Sequence, residues 1–315
     1  MLARPVRPAH RGGPDRSSVT LSPVDDVEQR AEPGERDTGE PVGPPGDVAL
    51  RPESLLLTFY GAHVLDRGLL VATPGLVDVM ARLGASEHAT RSAITRMVRR
   101  GRLVGHKRGR QVYLGLTPFS VAALRAGYTR IWQPDATADA QWDGTWTLLS
   151  FNLPDTWQRQ RHELRTRLQG AGFGLLQGGL WAAPGALDVT AALGDLEAAA
   201  HVRAFTAHPT GGLDPAALLG EVWDVPAAAA AYAAFLERWD GGSSATRWTD
   251  PLARKLALQE EWRLTLRDTP RLPLELLPDP WPGLAAQELF TREHARIAPA
   301  AHAAADALLD TIPEP

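Results

Sequence analysis

The chain of 315 residues contains no cysteine. A disulfide framework, a thiolate metal site and a cysteine nucleophile are therefore excluded, and a reducing compartment is the natural expectation. Long apolar runs are also missing: nothing approaches the ~18–20 residues that cross a bilayer, so no membrane partner is expected. Residues 1–20 carry Arg4, Arg7, Arg11 and Arg16 with no apolar stretch behind them, unlike a secretory signal. These absences lead to the expectation of a soluble, cytoplasmic protein. Net positive charge is lacking as well, the formal value being -4, so any affinity for polyanions has to come from local concentration of charge. The nine histidines form no HxxxH or HExxH pair, and there is no P-loop, Rossmann fingerprint or GxSxG. Neither a cofactor nor a metal is implied, and no enzyme is expected.

What is present is uneven. Residues 1–51 hold eight prolines and many charges but few apolar residues, and such a segment cannot bury enough surface to offset its ordering entropy. A disordered tail is expected there. From Ser54 the pattern changes. Leu55, Leu56, Phe59, Val64 and Leu65 suit a first helix, and Leu76, Val77, Met80 and Leu83 a second that ends at Gly84. Ser86 can cap a third helix whose stripe Ala93, Ile94, Met97 and Val98 faces inward. Two short strands at 103–105 and 111–114, joined by a turn at 107–110, complete a winged helix-turn-helix over residues 52–118.

Within residues 87–110 eight basic side chains stand against one carboxylate, Glu87, a formal +7 in a chain of net -4. Concentration of this kind is the footprint of a phosphate-binding face. The first turns of the second helix of a helix-turn-helix meet base edges. Ser86, His88, Arg91, Ser92 and Thr95 are placed to read bases, while Arg96 and Arg99 suit phosphates. Lys107, Arg108 and Arg110 form a basic wing tip, and Arg100 and Arg102 fit capping or solubility better than recognition. Exposed charge without DNA binding is the competing reading.

After a linker helix at 119–144, residues 145–210 read as strand, helix, two strands, helix (187–199) and strand, the order of a ferredoxin-like sandwich. Residues 211–309 read as mainly helical, with Tyr232, Phe235, Leu236 and Trp239 on one helix face and further helices at 248–266 and 283–297, and 310–315 as a tail. The fold class is therefore α+β. All ten tryptophans lie outside the winged helix, from Trp132 to Trp281. Most are expected in cores and at domain interfaces. Trp157, Trp181, Trp262 and Trp281 could wall an effector pocket, and Arg263, Arg267 and Arg271 could bind the phosphates of a coenzyme A. A solvated helix face competes for these arginines.

The run Ala89-Thr90-Arg91-Ser92-Ala93-Ile94-Thr95-Arg96-Met97-Val98, the wing from Gly109 to Thr117, the stretch Gly172-Phe173-Gly174-Leu175-Leu176-Gln177-Gly178-Gly179-Leu180-Trp181 and the stretch from Leu272 to Gly283 resemble the PaaX family of bacterial regulators. With the helix run and the wing counted as one, three separated motifs in order cover nearly everything from Glu53 to about Leu309. The amino-terminal tail is extra, and Met97 stands where leucine is usual. The resemblance implies a winged-helix domain, a central Cas2-like domain and a helical carboxy-terminal domain for effector binding and dimerisation. It further implies a homodimer on a roughly palindromic double-stranded operator, repressing until an aryl-acyl-CoA such as phenylacetyl-CoA binds. Likeness to a nuclease fold raises an alternative, a metal-dependent nuclease with Asp155 as its carboxylate. One carboxylate is a poor site for a divalent cation, and a helix-start aspartate explains Asp155 as well. A protein-interaction scaffold is the third reading.

Overall fold

The computed structural model describes residues 50–132, 142–268 and 272–315. The proline-rich segment up to residue 49, residues 133–141 of the expected linker helix and Arg271 lie outside the described residues; the end of that expected helix, residues 142–144, is not helical. Two antiparallel sheets organise the rest. The first unit opens with α1 (Pro52–His63), β1 (Leu69–Ala72), α2 (Thr73–Arg82) and α3 (Glu87–Arg99), followed by the hairpin β2 (Leu103–Arg108) and β3 (Gln111–Leu116) and by α4 (Pro118–Trp132). The second comprises β4 (Trp146–Phe151), α5 (Gln158–Gly170), β5 (Gly174–Gln177), β6 (Leu180–Pro184), α6 (Val189–Leu193) and β7 (Val202–Ala207), in strand order β5-β6-β4-β7. Then come α7 (Pro215–Val222), α8 (Val225–Trp239), α9 (Ser243–Arg247), α10 (Pro251–Asp268), α11 (Pro282–Leu308) and β8 (Thr311–Pro313).

Several expectations are revised. Two strands were not expected at all. β1 is the short apolar run Leu69-Leu70-Val71-Ala72, and β8 lies in what reads as a carboxy-terminal tail; they pair with each other, extending the first sheet to β2-β3-β1-β8. The helix expected at 187–199 shrinks to α6 and a 3-10 turn, Glu197–His201, because Gly194 takes φ +57 and breaks the α-helix between them. The helix expected to end near Ile297 runs on to Leu308 through Pro299, since Ala301 and Ala305 beyond the proline are fully buried.

Packing joins what the sequence separates. One hydrophobic core takes Leu56 and Phe59 of α1, Met80 of α2 and Met97 of α3 together with Phe235 of α8, Trp262 of α10 and Phe290 of α11. At ~1.5–3 kcal/mol for each such side chain, the amino-terminal unit is held by carboxy-terminal helices as much as by itself. Glu260 of α10 fixes the seam by accepting from Ser54 Oγ (2.5 Å) and Thr58 Oγ1 (2.7 Å) of α1. The central sheet has its own core, with Leu149, Leu164, Phe173 and Trp181 inside. Gly174 is needed there: a Cβ would overlap Val222 and crowd Trp223, so the strand passes close under α7 only as glycine.

Candidate nucleic-acid interface

The interface is built on α3. Gly84, at φ +85, turns the chain after α2, and Ser86 Oγ accepts from the Ala89 amide at 3.2 Å to cap the next helix. The buried face of α3 is Thr90, Ala93, Ile94 and Met97. Val98, expected inward, is instead 40% exposed, and Thr90 takes the inner place because its hydroxyl donates to Ser86 O at 3.0 Å. A threonine thus enters the core with its one donor satisfied.

The opposite face carries His88, Arg91, Thr95 and Arg99, all exposed, at helical spacing; Ser92 is half-buried beside them. Arg91 Nε meets Glu87 at 2.7 Å, a solvated pair worth ~0.3–0.5 kcal/mol that another anion can displace. β2 and β3 continue the basic surface. Their register pairs Arg108 with Gln111, leaving a two-residue loop in which Gly109 takes φ +61, as a type II′ turn requires at its first position. Lys107 and Arg108 therefore lie in the strand and only Gly109 and Arg110 in the turn; all of Lys107, Arg108 and Arg110 are exposed.

Arg96 departs from the sequence reading. Its guanidinium turns inward to Glu53 (Nε–Oε1 2.6 Å), where Arg100 also arrives (3.2 Å). Glu53 is 2% exposed, so this is a buried, charge-assisted clamp between α1 and the last turns of α3. Arg96 sets the position of α3 and does not point outward to a phosphate. Nothing in the sequence distinguishes Glu53 from an ordinary acidic residue in a first helical turn.

The expected effector residues are not gathered. Trp181 is buried in the central core, and Trp157 meets His201 edge-on at 5.1 Å. Arg263 lies on Glu260 (2.7 Å), Arg267 is exposed on the same helix, and Trp281 packs edge-on against Tyr232 at 5.8 Å. Trp262 is in the core, stacked on Phe290. A group of residues that the sequence does not bring together lines a cavity of about 480 Å³ elsewhere, among them Trp132, Lys255, Gln259, His294 and His302. Burial is severe here. Desolvation lowers His294 to about 4 and Lys255 to about 8, and His63 close by to about 3.

Three family models match the chain in succession: PaaX-like protein over residues 51–118, PaaX protein central Cas2-like domain over 139–219, and PaaX-like protein C-terminal domain over 223–307. The chain belongs to the PaaX-like family of regulators. It is similar to the transcriptional repressor PaaX of Escherichia coli, with 29% identity over 261 residues, covering 79% of this chain and 81% of that protein. Among solved structures it is similar to the uncharacterized protein Rv0674 from Mycobacterium tuberculosis, at 28% identity and TM-score 0.55, covering 81% of this chain and 96% of that one.

As a PaaX-like chain it is a transcriptional regulator and not an enzyme. The comparisons do not favour the nuclease alternative that the Cas2-like central domain raised. Asp155 stands exposed ahead of α5, and no three histidine, aspartate or glutamate side chains gather as metal ligands among the described residues. Nor is any helix among them long and apolar enough to cross a membrane.

Proposed function

We propose that this PaaX-like chain is a sequence-specific repressor that grips double-stranded DNA with a winged helix-turn-helix made of α1–α3 and the β2–β3 wing. The reading is carried by one observation: His88, Arg91, Thr95 and Arg99 on α3 and Lys107, Arg108 and Arg110 on the wing are all exposed, while the opposite side of α3 is buried. α3 enters the major groove, its first turns on base edges, and the wing follows the neighbouring backbone. The strand order β5-β6-β4-β7 with its helices supports a ferredoxin-like reading of the centre. Outer strand β7, with Phe205 63% exposed, offers surface for the homodimer that a palindromic operator needs. The likeness to a PaaX repressor supports an aromatic-acid operon of the phenylacetate type as the target, with relief by an aryl-acyl-CoA such as phenylacetyl-CoA. Release requires that effector to favour the DNA-incompetent conformation.

A gel-shift of the chain's own promoter over a salt series tests the reading; absence of salt-sensitive binding overturns it. Two variants separate reading from gripping. Arg91→Ala should weaken the operator by roughly 1–3 kcal/mol and relax preference at one base pair. Lys107→Ala should weaken all duplexes alike and reduce the salt slope by about one unit. Equal loss on operator and random duplex for Arg91→Ala would remove it from base reading.

A further inference from the structure

The cavity noted above is walled by four helices. Ala62 of α1 with Leu65 and Asp66 just beyond its end form one side, Trp132 of α4 another, Lys255 and Gln259 of α10 the floor, and α11 contributes His294 and His302; the Asp66 carboxylate is paired with Arg125 of α4. Its volume of about 480 Å³ falls within the ~300–1,000 Å³ of small-ligand sites. Two polar groups in it lack what burial demands. Lys255 is 2% exposed and its ammonium touches His302 Nε2 at 2.8 Å, but among the described residues no carboxylate pairs with it. An ammonium has three donors, and a buried cation without a counter-ion is strongly disfavoured. Gln259 Oε1 is buried with no hydrogen-bond partner. Lysine itself is rare here: 107 and 255 are the two lysines among 33 basic residues. A compact point charge stands where the chain elsewhere uses the broad, planar arginine.

We propose that this cavity is the effector site, taking the acyl head of an aromatic acid or its thioester with an acyl oxygen on Lys255 Nζ and the ring against Trp132. The proposal rests on the effector-relieved repressor reading and names its site. An acyl oxygen supplies a further acceptor for Lys255 beside His302 Nε2, and the Trp132 indole offers an aromatic partner for an aryl group. Burial already pulls the Lys255 amine down to about 8, as expected for a cation whose anion has yet to arrive. The position also explains how occupancy reaches DNA. α1 is one wall at Gly61 and Ala62, and at its other end Glu53 holds Arg96 of α3 and Arg100 just after it. A ligand that displaces α1 thereby shifts α3, so the two sites share one rigid element.

Calorimetric titration of the full chain without DNA, using phenylacetate and phenylacetyl-CoA in separate arms, tests this. The wild type should bind at least one of them, one molecule per chain, and which arm binds identifies free acid or thioester. Lys255→Met should weaken that binding about tenfold or more, as loss of a charge-assisted hydrogen bond implies. Ala62→Phe, which fills the cavity and leaves the charge, should do the same; melting curves check that both variants fold. Unchanged affinity in both variants, or no wild-type binding in either arm, overturns the site. A promoter gel-shift without either compound is read separately: its failure removes the repressor reading, whatever the calorimetry shows.

Discussion

Glu53→Ala should lower unfolding stability by about 3–5 kcal/mol and weaken DNA binding, though residue 53 touches no DNA in the arrangement proposed. The substitution leaves two arginines facing a hole. Arg96 and Arg100 are about one-fifth exposed and converge on a carboxylate that is 2% exposed. Removing one partner of a buried charge cluster costs far more than the cluster contributes relative to apolar replacement, because the remaining charges stay desolvated. Arg96 lies in the last turns of α3 and Arg100 directly follows it, so the loss is felt as freedom of that helix. Urea denaturation of the variant and wild type measures the first effect, and a gel-shift at a temperature where both are folded measures the second. A stability change under about 1 kcal/mol would show that the arginines rotate to solvent at no cost and that α3 is held by its apolar face alone. Glu53→Gln keeps volume and one acceptor oxygen; it should fall between, since a neutral amide cannot balance two guanidinium groups.

The same clamp marks where sequence reading stops. α3 was legible because its signals are local: Gly84 and Ser86 punctuate its start, and Ala93, Ile94 and Met97 repeat at helical spacing. The basic hairpin β2–β3 was legible because Gly109 sits between alternating strands. The inward turn of Arg96 was not, since its partner Glu53 is 43 residues away and a helical wheel orients side chains by angle alone. β1 escaped for a related reason: four apolar residues without alternation suit a helix end as well as a strand. β8 pairs with it across some 240 positions, a separation at which periodicity carries no information. The effector residues show the limit most plainly. Trp181 and Trp262 looked like pocket walls because they are large and amphipathic, yet both fill cores. The cavity draws instead on α1, α4, α10 and α11, which contribute two residues each, scattered over some 240 positions. Chemistry assembled by tertiary packing leaves no motif behind.

Acid should unfold this protein early, in a pH range where its carboxylates are still ionised. His63, His294 and His302 lie near one another beside Lys255, and burial foremost lowers each below the usual 6.5, His63 to about 3 and His294 to about 4. His63 is the extreme case: it stacks on Phe59 at 5.4 Å, and both ring nitrogens are buried without a partner. The unfolded chain binds protons at these groups from pH ~6.5 downward, whereas the folded chain takes them up only at lower pH, near 3 at His63 and near 4 at His294. Their contribution to stability is therefore whole above pH ~6.5 and falls as pH drops toward the folded values. Between pH 6.5 and 4.5 a fully depressed histidine forfeits roughly 2–3 kcal/mol. Glu293, held low chiefly by its hydrogen bond to Arg296, adds its loss only below the ordinary carboxylate range near 4.5. Lys255 acts at the other end. With its amine near 8 when folded and 10.5 when unfolded, it opposes folding below pH 8, and that opposition fades as pH rises toward 10.5. Scanning calorimetry should thus show Tm falling steeply from pH 6.5 to 4.5, and His63→Phe, which fits the same stack without a titratable ring, should flatten that fall. A wild-type Tm that holds level over this interval would mean the histidines reach solvent, and that the seam between α1, α10 and α11 opens readily to water.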